Sequence, residues 1–232
     1  MSTRTLYDLA GADPDCRFSP FCWRIRMALA HKGLEVETLP WRFTEKDRIA
    51  FAGTDKVPVL VDGARTVTES WDIAGYLEDA YPHGPSLFGG EAGRGLARFV
   101  ASWSDAVVHP AMARVVLLDI HDRLDAKDQA YFRQSREARF GMTLEQVVED
   151  RPGRIAALRR DLHPMRMTLR AQPFLHGEEP GYGDYAVFGA FMWARAVSPA
   201  VLLEADDPVE AWRQRLLDLH GGLARRAKGH EV

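Results

Sequence analysis

Residues 19–33 read SPFCWRIRMALAHKG, a single helix with both ends marked. Ser19 carries the side chain of an N-cap, and Pro20 suits the first helical position, where the missing N–H has no partner to lose. Phe21, Ile25, Ala28 and Leu29 recur at helical spacing, and Lys32-Gly33 supplies a basic last turn followed by a glycine cap. On either side lie TLYDL (5–9) and VETL (36–39), short stretches that read as strands, so the chain opens on a β-α-β unit. A serine at the mouth of a helix with a cysteine three residues on is also where a thiol-handling site would stand. Capping alone explains Ser19 equally well at this level.

Further along, VPVLVD (57–62) is a third strand, Asp62-Gly63 is a turn signal, and residues 66–68 form a short return strand. After Glu69-Ser70, the apolar positions Ile73, Ala74, Leu77, Ala80 and Tyr81 predict a second amphipathic helix. Prolines and glycines from Tyr81 to Pro85 break the chain, and residues 83–92 read as a linker. Beyond it no strand is evident. Helical patterns cover 94–118, about 126–150, 152–171, 184–197 and 208–220, so residues 93–232 are expected to form an all-helical domain behind an α/β domain over 1–82.

The composition narrows the function classes. A formal charge of −3 lacks the basic footprint of a nucleic-acid or anionic-membrane binder. No apolar run approaches the ~20 residues of a membrane-spanning helix, and MSTRTLYDLA lacks the apolar core of a signal peptide. Two cysteines, Cys16 and Cys22, exclude a disulfide framework and fit a reducing, cytoplasmic setting. Eight scattered histidines show no metal spacing, so no metal is expected. Glycines 89, 90, 93 and 95 lack the G-K-[ST] ending of a phosphate loop and read as a flexible connection.

Ser19-Pro20, Val57-Pro58 and Glu69-Ser70 are each ordinary alone; their order and spacing are not. Together with SPFCWRIRMALAHKG, TDKVPVLVDG (54–63), ESWDIAGYLEDAYP (69–82) and GYGDYAVFGAFMW (181–193), they make the chain resemble the cytosolic glutathione S-transferases along nearly its whole length. AYFRQSREARFGMTLEQV (130–147) resembles a branch containing bacterial glutathione-dependent β-aryl etherases and related fungal transferases. The resemblance implies a thioredoxin-like βαβ-ββα domain followed by the all-helical one. It also implies a homodimer, glutathione as co-substrate, a hydrophobic electrophile as second substrate and a role in detoxification.

By the same resemblance, Pro58 is the family's cis-proline and leaves the Val57 main chain to pair with the cysteinyl unit of glutathione. The Ser70 N–H takes the γ-glutamyl carboxylate and Glu69 the ammonium. Lys56, with Arg42 as a second candidate, faces the glycyl carboxylate, and Phe21 borders the tripeptide. Ser19 donates a hydrogen bond to the glutathione sulfur. Trp103 and Val107, one turn apart, are candidates for the electrophile's wall. Tyr7 on the first strand and a reactive Cys16 rank below Ser19, and Cys22 is expected to pack. Many family members carry serine where this chain has Gly181, three residues before Asp184. Three functions stay open: addition of glutathione to an electrophilic carbon, β-aryl ether cleavage by glutathione, and a non-catalytic binding or regulatory module of the same fold. A glutaredoxin-like oxidoreductase is disfavoured because position 19 is not cysteine.

Overall fold

A computed structural model describes residues 4–231; the outermost limits of the two expected domains, residues 1 and 232, lie outside the described residues. The chain opens with β1 (Arg4–Leu9), α1 (Pro20–His31) and β2 (Glu37–Trp41), then a 3-10 segment (Lys46–Ala52), β3 (Val59–Asp62), β4 (Arg65–Thr68) and α2 (Ser70–Ala80). The sheet order is β2-β1-β3-β4. β1 and β2 are parallel, as the α1 crossover between them requires. β3 runs antiparallel to β1 and β4, joined to β4 by a turn with Gly63 at φ 59°.

The helical half follows with α3 (Glu91–Trp103), a π segment (Ser104–Val108) and α4 (His109–His121), continuous in chain direction. After these come α5 (Ala126–Phe140), α6 (Leu144–Val147), α7 (Arg151–Asp161), α8 (His163–Leu169), α9 (Tyr182–Val197) and α10 (Pro208–Gly222). No strand of a sheet occurs beyond α2 among the described residues. Two long helical predictions divide. Gly141, at φ 68°, ends α5, and a Thr143–Gln146 capping box starts α6. Pro164, at the start of α8, splits the 152–171 stretch because it cannot donate to the preceding turn. The expected flexible connection is anchored: Leu87 and Phe88 are buried, with Phe88 packed on Trp71 and Tyr182 at ring distances of 5.5 and 5.6 Å.

α9 is the core helix. All of its residues except Trp193 and Arg195 are buried, and it packs chiefly on α1. The approach is close at Gly189, where a Cβ would sit 2.2 Å from the Pro20 carbonyl oxygen. α9 therefore presses directly on the first turn of the helix that Ser19 caps. Its own start is held by Asp184, which accepts from the backbone N–H groups of Leu175 (2.7 Å), His176 (3.2 Å) and Gly181 (3.1 Å) and from Trp212 Nε1 (2.8 Å). Gly181 is required by space: a Cβ there would meet His176 Cγ at 2.5 Å. The departure from serine noted in the sequence is thus paired with a histidine ring that fills the position.

Candidate functional site

Ser19 has extended backbone angles (φ −66°, ψ 121°), and its Oγ accepts from the Cys22 N–H at 3.1 Å, the N-cap its sequence predicts. A hydroxyl that accepts in this way keeps its hydrogen to donate elsewhere. Ser19 is largely buried, yet it borders a cavity of about 910 Å³ between the sheet half and the helical half. From the first half that cavity is lined by Ser19, Phe21, Lys56, Val57, Pro58 and Glu69. The sequence pieces 19–21, 56–58 and 69 thus converge although they are far apart along the chain.

The Val57-Pro58 bond is cis, and the paired register of β3 begins at Val59. Val57 therefore stands in the cavity wall just outside the ladder. Glu69, at φ 64°, is a non-glycine residue in left-handed backbone space, a conformation that costs on the order of 1–3 kcal/mol and clusters at binding sites. It turns the chain from β4 into α2, so that Ser70 stands at the helix N-terminus, where backbone N–H groups favour an anion. Ser70 lines an adjoining cavity of about 320 Å³ that shares Phe21, Glu69 and Asp105 with the larger one.

Arg42 is placed otherwise. Its Nε donates to the Gly11 carbonyl and its Nη2 to the Ala12 carbonyl, both at 3.1 Å, and it pairs with Glu45; it is absent from the cavity wall. Trp103 and Val107 also lie away from that wall. Asp105, His109, Ala113, Leu117 and Ile120 line it instead. Two residues along a helix is a rotation of about 200°, so Asp105 projects almost opposite to Trp103 and Val107. The buried face of this stretch is Ala97, Ala101, Ser104 and Val108. Trp103, partly packed against the core, and the half-buried Val107 lie to one side of it, on the face that continues to the exposed Leu96 and Phe99.

Asp105 projects from the π segment, a helix irregularity common at functional sites. Its Oδ1 accepts from Arg24 Nη2 at 2.6 Å and lies 3.2 Å from His109 Nδ1. Although burial opposes it, hydrogen bonds from His109 and Arg24 hold the Asp105 carboxyl down at about 2. Burial lowers the His109 pKa, and its Nε2 faces Arg24 Nη2 at 3.3 Å. Both ring nitrogens are thus engaged. Arg24, itself buried, also donates to the Ala186 carbonyl at 3.1 Å, which ties α1, the π segment and α9 into one rigid corner beneath Phe21.

The cysteines are free thiols and both are buried. Burial, then the neighbouring Asp8 carboxyl, pushes Cys22 well above the ordinary thiol value; burial likewise raises Cys16, whose Sγ lies 3.5 Å from the Ala196 carbonyl. A protonated, covered thiol is a poor nucleophile. Iodoacetamide at neutral pH is therefore expected to label neither residue in the native protein and both in urea, as read by intact mass. Fast labelling of native Cys16 would restore it as a reactive site.

The cavity's far end was not foreseen residue by residue. Phe43 contributes from the turn after β2, and α5 contributes Tyr131, Phe132, Arg136, Arg139 and Phe140. The spacing of Phe132, Arg136 and Phe140 puts them on one helical face, a signal present in the sequence but blind to what that face meets. Among the described residues, no group of three or more His, Cys, Asp or Glu side chains could hold a metal ion, and no helix is long and apolar enough to cross a membrane.

Family models described as the glutathione S-transferase C-terminal domain and N-terminal domain match residues 95–226 and 18–80. A probable glutathione S-transferase of Oryza sativa, GSTU6, is 25% identical over 210 residues, covering 85% of this chain and 80% of the relative. Glutathione S-transferase U13 of Arabidopsis thaliana is 27% identical over 222 residues, 92% of this chain and 84% of the relative. Among solved structures, glutathione transferase GSTFuA2 of Phanerochaete chrysosporium superposes with a TM-score of 0.75 at 29% identity, covering 96% of this chain and 94% of that one. A glutathione S-transferase of Ceriporiopsis subvermispora solved with glutathione reaches 0.78 at 24% identity, covering 94% and 96%.

Proposed function

The chain belongs to the glutathione S-transferase family, and on that footing we propose that it binds glutathione against Ser19 and adds its thiolate to an electrophilic carbon of a hydrophobic aromatic compound. The observation that carries this proposal is the position of Ser19: its hydroxyl caps α1 in the wall of a cavity with polar recognition groups on one side and aromatic surfaces on the other. Glutathione would lie along Val57, its γ-glutamyl end toward Glu69 and the α2 N-terminus, its glycyl end toward Lys56. Arg42 is committed to backbone carbonyls, so Lys56 is the cation assigned to that carboxylate.

The chemistry follows from charge. The dipole at a helix start favours an anion by roughly 0.3–2 kcal/mol, and a hydrogen bond to a charged acceptor adds roughly 1.5–3 kcal/mol. At about 1.36 kcal/mol per unit, these terms lower a thiol pKa near 8.5 by about one to four units. The thiol proton passes to solvent, the sulfur lone pair forms the new C–S bond, and the leaving group departs with its electron pair. Chloride from a chloronitroarene and a phenolate from a β-aryl ether, which then takes a proton from solvent, play the same leaving-group role in this scheme. The proposal extends to a reducing cytoplasmic setting and to a homodimer, the latter to be read by sedimentation velocity.

Calorimetric titration with glutathione, together with conjugation of chloronitroarene and β-aryl ether substrates, tests the proposal. Tight glutathione binding with turnover of neither class would instead make the chain a binding module; no binding would overturn both. Lys56→Ala is expected to raise KM for glutathione roughly tenfold, the value of a single charge-assisted contact, with kcat little changed. An unchanged KM would return Lys56 to the solvated surface.

A further inference from the structure

Among the described residues the buried arginines Arg24 and Arg213 each have a carboxylate partner, Asp105 and Glu210, and the half-buried Arg166 and Arg151 meet Asp207 and Asp119. Three arginines in the cavity wall differ, two of them half-buried and the third, Arg139, exposed. Arg114 of α4 and Arg136 and Arg139 of α5 make no ion pair among the described residues. Arg136 is held in place by aromatic rings: its guanidinium lies 4.7 Å from the Phe132 centroid and 5.4 Å from that of Phe43, with one hydrogen bond of 3.1 Å from Nη1 to Ser135 Oγ. Arg114 lies 5.7 Å from the Phe140 centroid. Burial lowers the Arg136 pKa, partly offset by the Tyr131 hydroxyl and reinforced by the charge of Arg139, an arrangement that an anion would relieve.

The acidic groups of the cavity do not offset these charges. Asp105 is engaged by Arg24 and His109, Asp55 pairs with Lys46 at 3.0 Å, and Glu69 belongs to the opposite end. The helical end of the cavity thus joins flat aromatic walls to unpaired guanidinium groups. Guanidinium is planar, is weakly hydrated for a cation and binds carboxylates through paired N–H groups. Aromatic walls of this kind accept a planar ring.

We propose that this end of the cavity selects an aromatic carboxylate as the electrophile, its acid group held by Arg136 and Arg139 and its ring packed against Phe132 and Phe140. The assignment rests on the transferase proposal only in naming the ligand an electrophile; recognition of an aryl carboxylate stands on the arginines. Carboxylate binding at Arg136 fixes the ring's orientation in the cavity that Ser19 also lines, so neutral aromatics of equal size are held without that orientation.

The test is calorimetric titration of the full chain with 4-biphenylcarboxylate and with its neutral isostere 4-biphenylcarboxamide, each with and without saturating glutathione. The carboxylate is expected to bind roughly tenfold tighter than the amide, the ratio expected for one charge-assisted pair, and the ratio is expected to shrink as salt is raised. Arg136→Gln is expected to bring the ratio close to one while glutathione binding is kept. Equal affinities in the wild type overturn the proposal, as does a ratio retained in Arg136→Gln. Loss of glutathione affinity in Arg136→Gln with the ratio unchanged would assign the arginine to the tripeptide and overturn it as well. If circular dichroism shows Arg136→Gln to be misfolded, Arg139→Gln is expected to lower the ratio below that of wild type, and an unchanged ratio there overturns the proposal. Wild type that binds the carboxylate selectively but not glutathione would end the transferase proposal and leave this one standing.

Discussion

Ser19→Ala is expected to lower kcat/KM at neutral pH by roughly 10- to 100-fold, the loss of a charge-assisted hydrogen bond worth about 1.5–3 kcal/mol. The bound glutathione thiol should return toward about 8.5, so the rate profile, which rises with pH as thiolate forms, moves to higher pH. Below both thiol pKa values the two proteins differ most; above about pH 9, where the free thiol is ionised unaided, the gap should close. Thiolate absorbance in the bound complex gives the same pKa without turnover. Because Ser19 Oγ also accepts from the Cys22 N–H, alanine removes a cap worth about 0.5–2 kcal/mol as well. Ser19→Asp separates the two roles: it keeps a capping acceptor, removes the donor and sets a like charge beside the sulfur. A stable but inactive Ser19→Asp protein supports the thiolate role, and equal thiol pKa values in all three proteins would remove Ser19 from the mechanism.

The second large effect lies far from the sulfur. Asp184 is fully buried and accepts four N–H donors. Asp184→Ala leaves the N–H groups of Leu175, His176 and Gly181 and the Trp212 indole without an acceptor, and the expected loss is about 3–5 kcal/mol, comparable to breaking a buried ionic contact. Against a typical total of about 5–15 kcal/mol, that is a large fraction of the fold's stability. The thermal midpoint should fall by roughly 10 °C, measured by circular dichroism. Glutathione affinity should also weaken, because α9 supports the first turn of α1 through the Gly189–Pro20 contact. A midpoint within about 2 °C of wild type would show that water replaces these partners and that the network matters little to stability.

What was legible in the sequence shares one property: it is written in local chemistry. Ser19-Pro20 marks a helix start because a side-chain acceptor and a fixed φ serve that position whatever surrounds it, and the cap is found there. The α5–α6 break was equally local, at Gly141 and Thr143, yet a continuous helical pattern concealed it. Trp103 and Val107 show the limit from the other side. Their spacing identified an apolar face correctly as apolar, but periodicity does not say whether such a face meets the core or a cavity. The π segment that presents Asp105 has no recognisable pattern in residues 104–108.

Arg42 and Arg136 illustrate the same division. Both are arginines near an expected binding site. Arg42 is taken up by the carbonyls of Gly11 and Ala12, contacts about 30 positions away in sequence. Arg136 is left facing a cavity because Phe43, nearly a hundred positions earlier, packs on the same face of α5.

The βαβ-ββα order of the first half, the two helix starts at Ser19 and Ser70, and the absence of a cysteine at the first of them are properties of residues and their near neighbours, and the sequence carries them. The convergence of Ser19, Val57 and Glu69 on one cavity, the identity of its far wall and the three unpaired arginines there depend on long-range packing. That packing is set by how α9 and α5 dock, through contacts such as Gly189 on Pro20 and Asp128 on the backbone of Phe43 and Thr44. Burial and the partners available to a charge are properties of the folded surroundings, and these decided which arginines are structural and which face a ligand.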